Sequence, residues 1–246
     1  SVSVSENGTL AFGATPFDAP ITKTITISNT QTSAFATGPL VLSNAAAPAG
    51  YALTGFPTVA LDNGQSATFD VTLTAVNTGV CNASLNFTGN DTFHAATAIG
   101  TLNQHTINLT GLVTDTANHW RVQNFGPGAT NSGNAADDAS PAGDGIANLL
   151  KYSLGLNPLT AYPPGTTSAI SFDSAGHLTM SVTKNPAAAD VSLAIETSSD
   201  LRTWSTAEVV IDQNTPTTLQ GHDSKTVSAG QRRFIRLRAT SSDSQP

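Results

Sequence analysis

Apolar and polar residues alternate along most of this chain, and this period of two constrains its fold more than any other feature. In residues 21–27 the isoleucines share one face, while the threonines share the other. The same alternation recurs in residues 67–74, 81–88 and 106–110. Because successive side chains of a β-strand point to opposite faces of the sheet, each segment predicts a strand that is buried on one side.

Turn residues separate these segments. Residues 62–64, 77–79 and 89–91 are rich in Asn, Asp and Gly, which favour tight turns. Several short strands at this spacing predict a β-sandwich over residues 1–113. Residues 93–104 form a longer connection before the last of these strands, and we expect an extended hairpin or a loop there.

The order of short motifs in this first half resembles a known family. The motifs are LAFG, TITISNT, LDNGQSATFDV and LTG, at residues 10–13, 24–30, 61–71 and 109–111. In this order they resemble the bacterial choice-of-anchor D and ASPM/SPD-2/Hydin-like immunoglobulin domains. The resemblance implies an immunoglobulin-like sandwich that serves as a non-catalytic module of an exported or surface protein.

The second half opens with a segment that predicts one short helix. Four apolar residues recur there at helical spacing: Ile146, Leu149, Leu150 and Leu154. Gly155 suits a helix C-terminus, and Pro158 prevents continuation. We therefore predict a helix over about residues 145–154, inside a linker that covers residues 114–160.

The residues before this helix align with the calcium-loop pattern D-x-D-x-D-G-x-x-N-x-x-E. The candidate calcium ligands are Asp137, Asp138, Ser140, Asp144, the carbonyl of Ile146, and Asn148. Calcium is the candidate cofactor, and we expect no other. Three positions depart from the pattern, because Ser140 is a poorer ligand than aspartate, Ala142 offers no side-chain oxygen and Lys151 replaces the bidentate glutamate. The alternative is a loop that keeps its shape without calcium, with the Lys151 ammonium in or near the cation position.

Alternation resumes after residue 160 and predicts a second sandwich over residues 161–240. Residues 169–173 and 178–182 flank a Ser-Ala-Gly turn and predict a hairpin. Residues 241–246 follow the last predicted strand, and we expect them to fray. The predicted fold class is all-β, with two immunoglobulin-like β-sandwich domains joined by a loop that contains one short α-helix.

This half also resembles a known domain. It contains ETSSDLRTW at residues 196–204 and RFIRLR at residues 233–238, after the DGIANLLKYSLGLNP segment at 144–158. Over about residues 118–240 it resembles the C-terminal "ETSxDLxxW…RFxRL" domain of exported proteins of Verrucomicrobia and their relatives. Their DPDGDGxxN segment resembles dockerin and thrombospondin type 3 calcium loops. The resemblance implies an extracellular or cell-surface location, and other domains of a larger exported protein as partners.

Composition argues against several classes of protein. Charged residues make up 11% of the chain and the net charge is −7, so the basic stripe of a nucleic-acid binder is missing. No apolar run approaches the roughly 20 residues of a membrane-spanning helix. The single cysteine, Cys81, rules out an intrachain disulfide. Because the chain begins at Ser1 without a signal peptide, we expect a mature or trimmed piece of a longer protein.

The sequence contains none of the usual catalytic motifs. Its five histidines lack H-x-x-x-H spacing, and there is no G-x-S-x-G nucleophile elbow. We therefore expect a non-catalytic accessory or structural module for spacing, display or attachment. The alternative is a carbohydrate-binding module of a polysaccharide-degrading enzyme, and a small hydrolase is a third reading.

A glycan partner would need exposed aromatic or charged side chains. The candidate ligand-binding residues are Trp120, Trp204, Arg236 and Arg238. The structural interpretation of the same residues is that the tryptophans are packing anchors. In that interpretation the arginines pair across the sheet with Glu196, Glu208 or Asp200.

Overall fold

The computed structural model describes residues 7–30, 39–90, 103–227 and 232–242. The chain separates into two compact units, Ser1–Thr114 and Asp115–Pro246. Within the described residues, fourteen strands outweigh two α-helices, which confirms the predicted all-β class. Neither of these helices has the length and apolar character needed to cross a membrane.

Eight strands form two sheets in the first unit. They are β1 (Thr9–Pro16), β2 (Ile21–Ser28), β3 (Leu42–Ser43), β4 (Tyr51–Thr54), β5 (Ser66–Leu73), β6 (Gly79–Val80), β7 (Ala83–Gly89) and β8 (Asn103–Thr114). One sheet has the order β1-β8-β7-β3, with β6 also paired to β8, and the other has the order β2-β5-β4. Strands β1 and β8 run parallel, and the other pairs are antiparallel.

The core of the first unit lies between these two sheets. Ile25 and Phe69 from one sheet pack in a single cluster with Leu85 and Leu109 from the other. Gly111 of β8 marks a close approach, because a Cβ there would come within 2.8 Å of the Leu73 side chain on the opposite sheet. The alternating apolar residues therefore face a shared interior, which makes this unit a sandwich. Most of the predicted long connection at 93–104 falls outside the described residues.

The second unit contains both helices and the remaining strands. Its elements are α1 (Ala117–Phe125), a 3-10 turn (Gly133–Ala135), α2 (Asn148–Ser153), β9 (Ala169–Phe172), β10 (His177–Thr183), β11 (Val191–Ser198), β12 (Val209–Asn214), β13 (Thr218–Thr226) and β14 (Phe234–Ser241). One sheet has the order β12-β13-β10-β9, and β11 pairs with β14 in another. Met180 and Leu219 from the first sheet pack against Ile195 from the second, with Ile235 and Leu237 beside them.

The segment predicted as a linker, residues 114–160, lies almost entirely in the second unit, which begins at Asp115. Tyr152 in α2 is completely buried and packs against Trp120 of α1. Helix α1 was not predicted, because its buried face carries Arg121 and so lacks an apolar period. The signal that marks its start is Thr116, whose side chain accepts a hydrogen bond from the His119 N–H as an N-cap.

Helix α2 is shorter than predicted at its start. The Asp144 carboxylate accepts the Ile146 N–H, and Gly145 has a left-handed φ of 76°, so helical geometry begins only at Asn148. The C-terminus follows the prediction, because Gly155 and the residue after it close the helix with N–H bonds to the carbonyls of Tyr152 and Lys151.

The last residues also differ in part from the prediction of a frayed tail. Ser241 is buried and forms the end of β14, where it pairs with Val191 of β11. Because this ladder continues to Ser241, the predicted boundary at 240 falls within a strand. Residues 243–246 lie outside the described part of the chain.

Candidate functional site

Helix α2 places the Lys151 side chain in the loop that resembles a calcium site. The Lys151 Nζ lies 2.8 Å from Asp144 Oδ2, and the side chains are 0% and 3% exposed. The ammonium also donates to the carbonyls of Thr160, at 2.9 Å, and Pro158, at 3.2 Å. It lies 5.4 Å from the centre of the Tyr162 ring. We call these five residues the Lys151 cluster.

The Asp144 carboxylate is saturated with donors. Its Oδ1 accepts from the Ser140 hydroxyl and the Ile146 N–H, each at 3.0 Å. Its Oδ2 accepts from the Tyr162 N–H at 3.0 Å, in addition to the ammonium. These bonds, with the Lys151 bond the largest cause, hold the pKa of the Asp144 carboxyl well below its usual range. The carboxylate is therefore ionised, and both of its oxygens are hydrogen-bonded to the surrounding residues.

The remaining predicted calcium ligands point to other partners. Asp137 pairs with the buried Arg121, and its second oxygen accepts from Asn131 at 2.9 Å. Asp138 is exposed. The buried Asn148 donates through Nδ2 to two loop carbonyls at 2.8 Å each, while its Oδ1 finds no hydrogen-bond partner among the described residues.

Only Ser140, Asp144 and Ile146 of the six predicted ligands come together, and two of them offer donors to the third. Calcium requires about 6–8 oxygen ligands. Here the carboxylate and two nearby carbonyls already bind an ammonium, so the donor set does not fit calcium. Within the described ranges, no group of three or more His, Cys, Asp or Glu residues has the geometry to hold a metal ion.

The candidate arginines on β14 form a charged ladder with β11. Glu196 is buried and lies directly opposite Arg236 in the register. Its carboxylate pairs with Arg236 Nη2 at 2.6 Å and with Arg238 Nε at 3.0 Å. The Arg236 guanidinium also lies 4.3 Å from the centre of the Trp204 ring. The arginines therefore pair with Glu196, as the structural interpretation expects, and one of them covers Trp204.

The pairing of Arg233 with Asp223 was not predicted. Arg233 makes two bonds to the carboxylate of Asp223, whose side chain is completely buried, and it also binds Glu208 at 2.7 Å. The Asp223 bonds are the largest cause of the raised pKa of Arg233. Alternation in β13 places Asp223 on the same face as the buried Leu219, and this is the signal that could have found it.

The other candidate tryptophan, Trp120, is half-buried and packs against two aromatic rings. The Trp120 ring centre lies 5.6 Å from that of Tyr152 and 6.1 Å from that of Phe125. The Tyr152 hydroxyl donates to Asp190 Oδ1 at 2.7 Å, and Asp190 Oδ2 accepts the Ala117 N–H at 2.8 Å. Burial is the largest cause that raises the pKa of Tyr152. Trp120 thus helps to fix α1 and α2 together.

Comparison with known proteins gives distant similarity. No family model and no curated protein matches the sequence. The VesB protease of Vibrio cholerae is 16% identical with a TM-score of 0.34, over 45% of this chain and 32% of that chain, so this chain spans about a third of its length. The class 5 fimbriae chaperone CfaA is 8% identical with a TM-score of 0.28, over 95% and 96% of the two chains. One chain of the CsuC–CsuE chaperone–tip adhesion subunit complex of Acinetobacter baumannii is 10% identical with a TM-score of 0.25, over 96% of this chain and 98% of that chain.

Proposed function

We propose that this chain is a non-catalytic structural module of a bacterial secreted or cell-surface protein. Its role is the spacing, display or attachment of other domains of that protein. The sequence resemblances of both halves support the exported setting. The pairing of the buried charged residues within the protein supports the structural role most directly.

Five charged residues are buried as whole residues in the described part of the chain. They are Asp115, Arg121, Lys151, Glu196 and Asp223. Each is bonded to an oppositely charged side chain or, for Asp115, to the His119 imidazole at 2.6 Å. Catalytic sites instead keep titratable groups available to a substrate in a cleft. These buried charges hold strands, helices and loops to one another, which is the work of a scaffold.

The alternative of carbohydrate binding has weaker support. Sugar sites that use aromatic platforms need an open ring face, but Arg236 covers Trp204 and Trp120 packs between other rings. Arg236 and Arg238 share the Glu196 carboxylate, which reduces their capacity to bind an anionic glycan. The four candidate residues thus have internal partners in the second unit.

A glycan array tests the proposal against this alternative. We expect no saturable binding by the whole chain. Binding that is lost in Trp204→Ala or Arg238→Met, while both variants keep the wild-type melting temperature, would replace the structural role with carbohydrate recognition.

A replacement experiment tests the spacing role itself. In the full-length protein, this chain is exchanged for two unrelated β-sandwich domains of similar length. We expect surface display of the neighbouring domains to persist. Loss of display, with normal expression of the exchanged protein, would contradict a spacing role.

A further inference from the structure

Two histidines lie side by side in the four-stranded sheet of the second unit. His177 begins β10 and His222 lies in β13, and their ring centres are 5.3 Å apart with the ring planes tilted by 44°. His222 pairs with Thr179, two residues from His177, so the two histidines are diagonal neighbours on one face. The buried Met180 and Leu219 project from the opposite face of the same strands.

Each ring is held by a carboxylate at Nδ1. His177 Nδ1 lies 2.9 Å from Asp173 Oδ2, and His222 Nδ1 lies 3.0 Å from both oxygens of Asp212. A carboxylate only accepts a hydrogen bond here, so in the neutral ring it holds the proton on Nδ1 and leaves the lone pair on Nε2. Neither Nε2 atom is hydrogen-bonded within the described part of the chain.

The two carboxylates are themselves positioned by the local backbone. Asp173 accepts the N–H groups of Ala175, at 2.9 Å, and His177, at 2.8 Å, in the turn between β9 and β10. Asp212 lies where the register of β12 shifts between Ile211 and Gln213, so it is the extra residue of a bulge. Bulges re-aim side chains in this way. The arrangement Asp-His-His-Asp therefore crosses the sheet in one line.

This spacing matches that of two imidazoles on one metal ion. With zinc–nitrogen bonds of about 2.0–2.1 Å, two rings bound through Nε2 to a tetrahedral ion have centres about 5 Å apart. The observed separation is 5.3 Å. Both side chains are 23% exposed, so an ion can reach them from solvent. Hydrogen-bonded carboxylates behind metal-binding histidines are also the usual outer shell of such sites.

We infer that His177 and His222 bind a single transition-metal ion of the zinc class through their Nε2 atoms. Water completes the coordination shell, since the protein supplies two ligands. Asp173 and Asp212 are positioning residues that fix the tautomer and the orientation of the rings. This site uses nitrogen ligands on a sheet face, so it is separate from the Lys151 cluster and from the proposed spacing role.

Calorimetric titration of the whole chain with zinc chloride at pH 7.5 tests the site. We expect one zinc ion per chain, and at least a tenfold loss of affinity in His177→Ala and in His222→Ala. His105→Ala, in β8 of the first unit, is the matched control and keeps wild-type affinity. Both site variants are checked for wild-type thermal unfolding without metal. Absence of saturable binding to the wild type, or equal affinity in the site variants, would overturn the site.

Electron paramagnetic resonance of the copper(II)-loaded chain gives a second readout. We expect coupling to two imidazole nitrogens in the wild type and to one in His222→Ala. Asp212→Asn keeps an acceptor but removes the charge, and we expect it to lower zinc affinity about tenfold while the two-imidazole spectrum persists. A spectrum that is the same in wild type and His222→Ala would refute shared coordination by the pair.

Discussion

The Lys151 ammonium lies 2.8 Å from the Asp144 carboxylate, and water reaches almost none of either side chain. Asp144 lies in a loop whose sequence pattern resembles a calcium site, and Lys151 lies in the helix that follows it. The Lys151 ammonium, which α2 supplies, therefore neutralises the Asp144 carboxylate at the centre of the loop. The loop keeps its shape through this internal charge and through the N–H groups of Ile146 and Tyr162.

Replacing Lys151 with methionine should destabilise the second unit strongly. Methionine preserves much of the side-chain volume but leaves the shielded Asp144 carboxylate without its cation. Breaking a buried ion pair by removal of one partner costs about 3–5 kcal/mol. Urea unfolding measures the loss. Lys225→Met is the control, because its ammonium is largely exposed in a surface pair and should contribute far less. Equal losses in the two variants would contradict a special role for Lys151.

Calcium should have no effect on stability. A loop that bound calcium would gain about 2.7 kcal/mol of unfolding free energy at a concentration one hundred times its Kd. We expect the same melting temperature in calcium chloride and in EDTA, because the Lys151 ammonium already binds the oxygens. Thermal melts in both buffers provide the measurement, and a large rise in calcium would show that the ion displaces the ammonium.

Acid should remove a contribution from Asp200. The N–H groups of Thr203 and Arg202 are the largest causes that lower the pKa of this carboxyl from 3.8 to about 2. A depressed folded-state pKa stabilises the protein above the unfolded value, and this stability is lost as the pH falls toward 2. We expect Asp200→Asn to be less stable than wild type at pH 7, with the difference shrinking between pH 4 and 2. Urea unfolding at several pH values across this range measures the difference in stability. A difference that stays constant would contradict a contribution from the ionised Asp200 carboxylate.

Arg233→Met should cost about 3 kcal/mol or more, because it leaves the completely buried Asp223 carboxylate without its partner. Arg232→Met is the matched control, since the neighbouring Arg232 is exposed. Urea unfolding of both variants separates the loss of a buried pair from the loss of one positive charge. Similar stability of the two variants would contradict a stabilising role for the buried Arg233–Asp223 pair.

Alternation of side chains by itself determined the strands and most of the interior. Ile25, Phe69, Leu85 and Leu109 occupy core positions because a strand turns every second residue to the same side. Gly155 likewise marked the end of α2, since its left-handed φ of 70° is a local property.

Only the tertiary structure decided which charged residues are buried and what they bind. Burial of a charge is tolerated when the fold holds a partner beside it, and that partner can be distant in sequence. Arg121 finds Asp137 across a loop, and Glu196 finds Arg236 on another strand. The sequence pattern did not predict helix α1 for the same reason, because Arg121 occupies the buried face of that helix. For the loop at Asp144 the sequence left two alternatives, a calcium ion or the Lys151 ammonium, and the fold places the ammonium on the carboxylate.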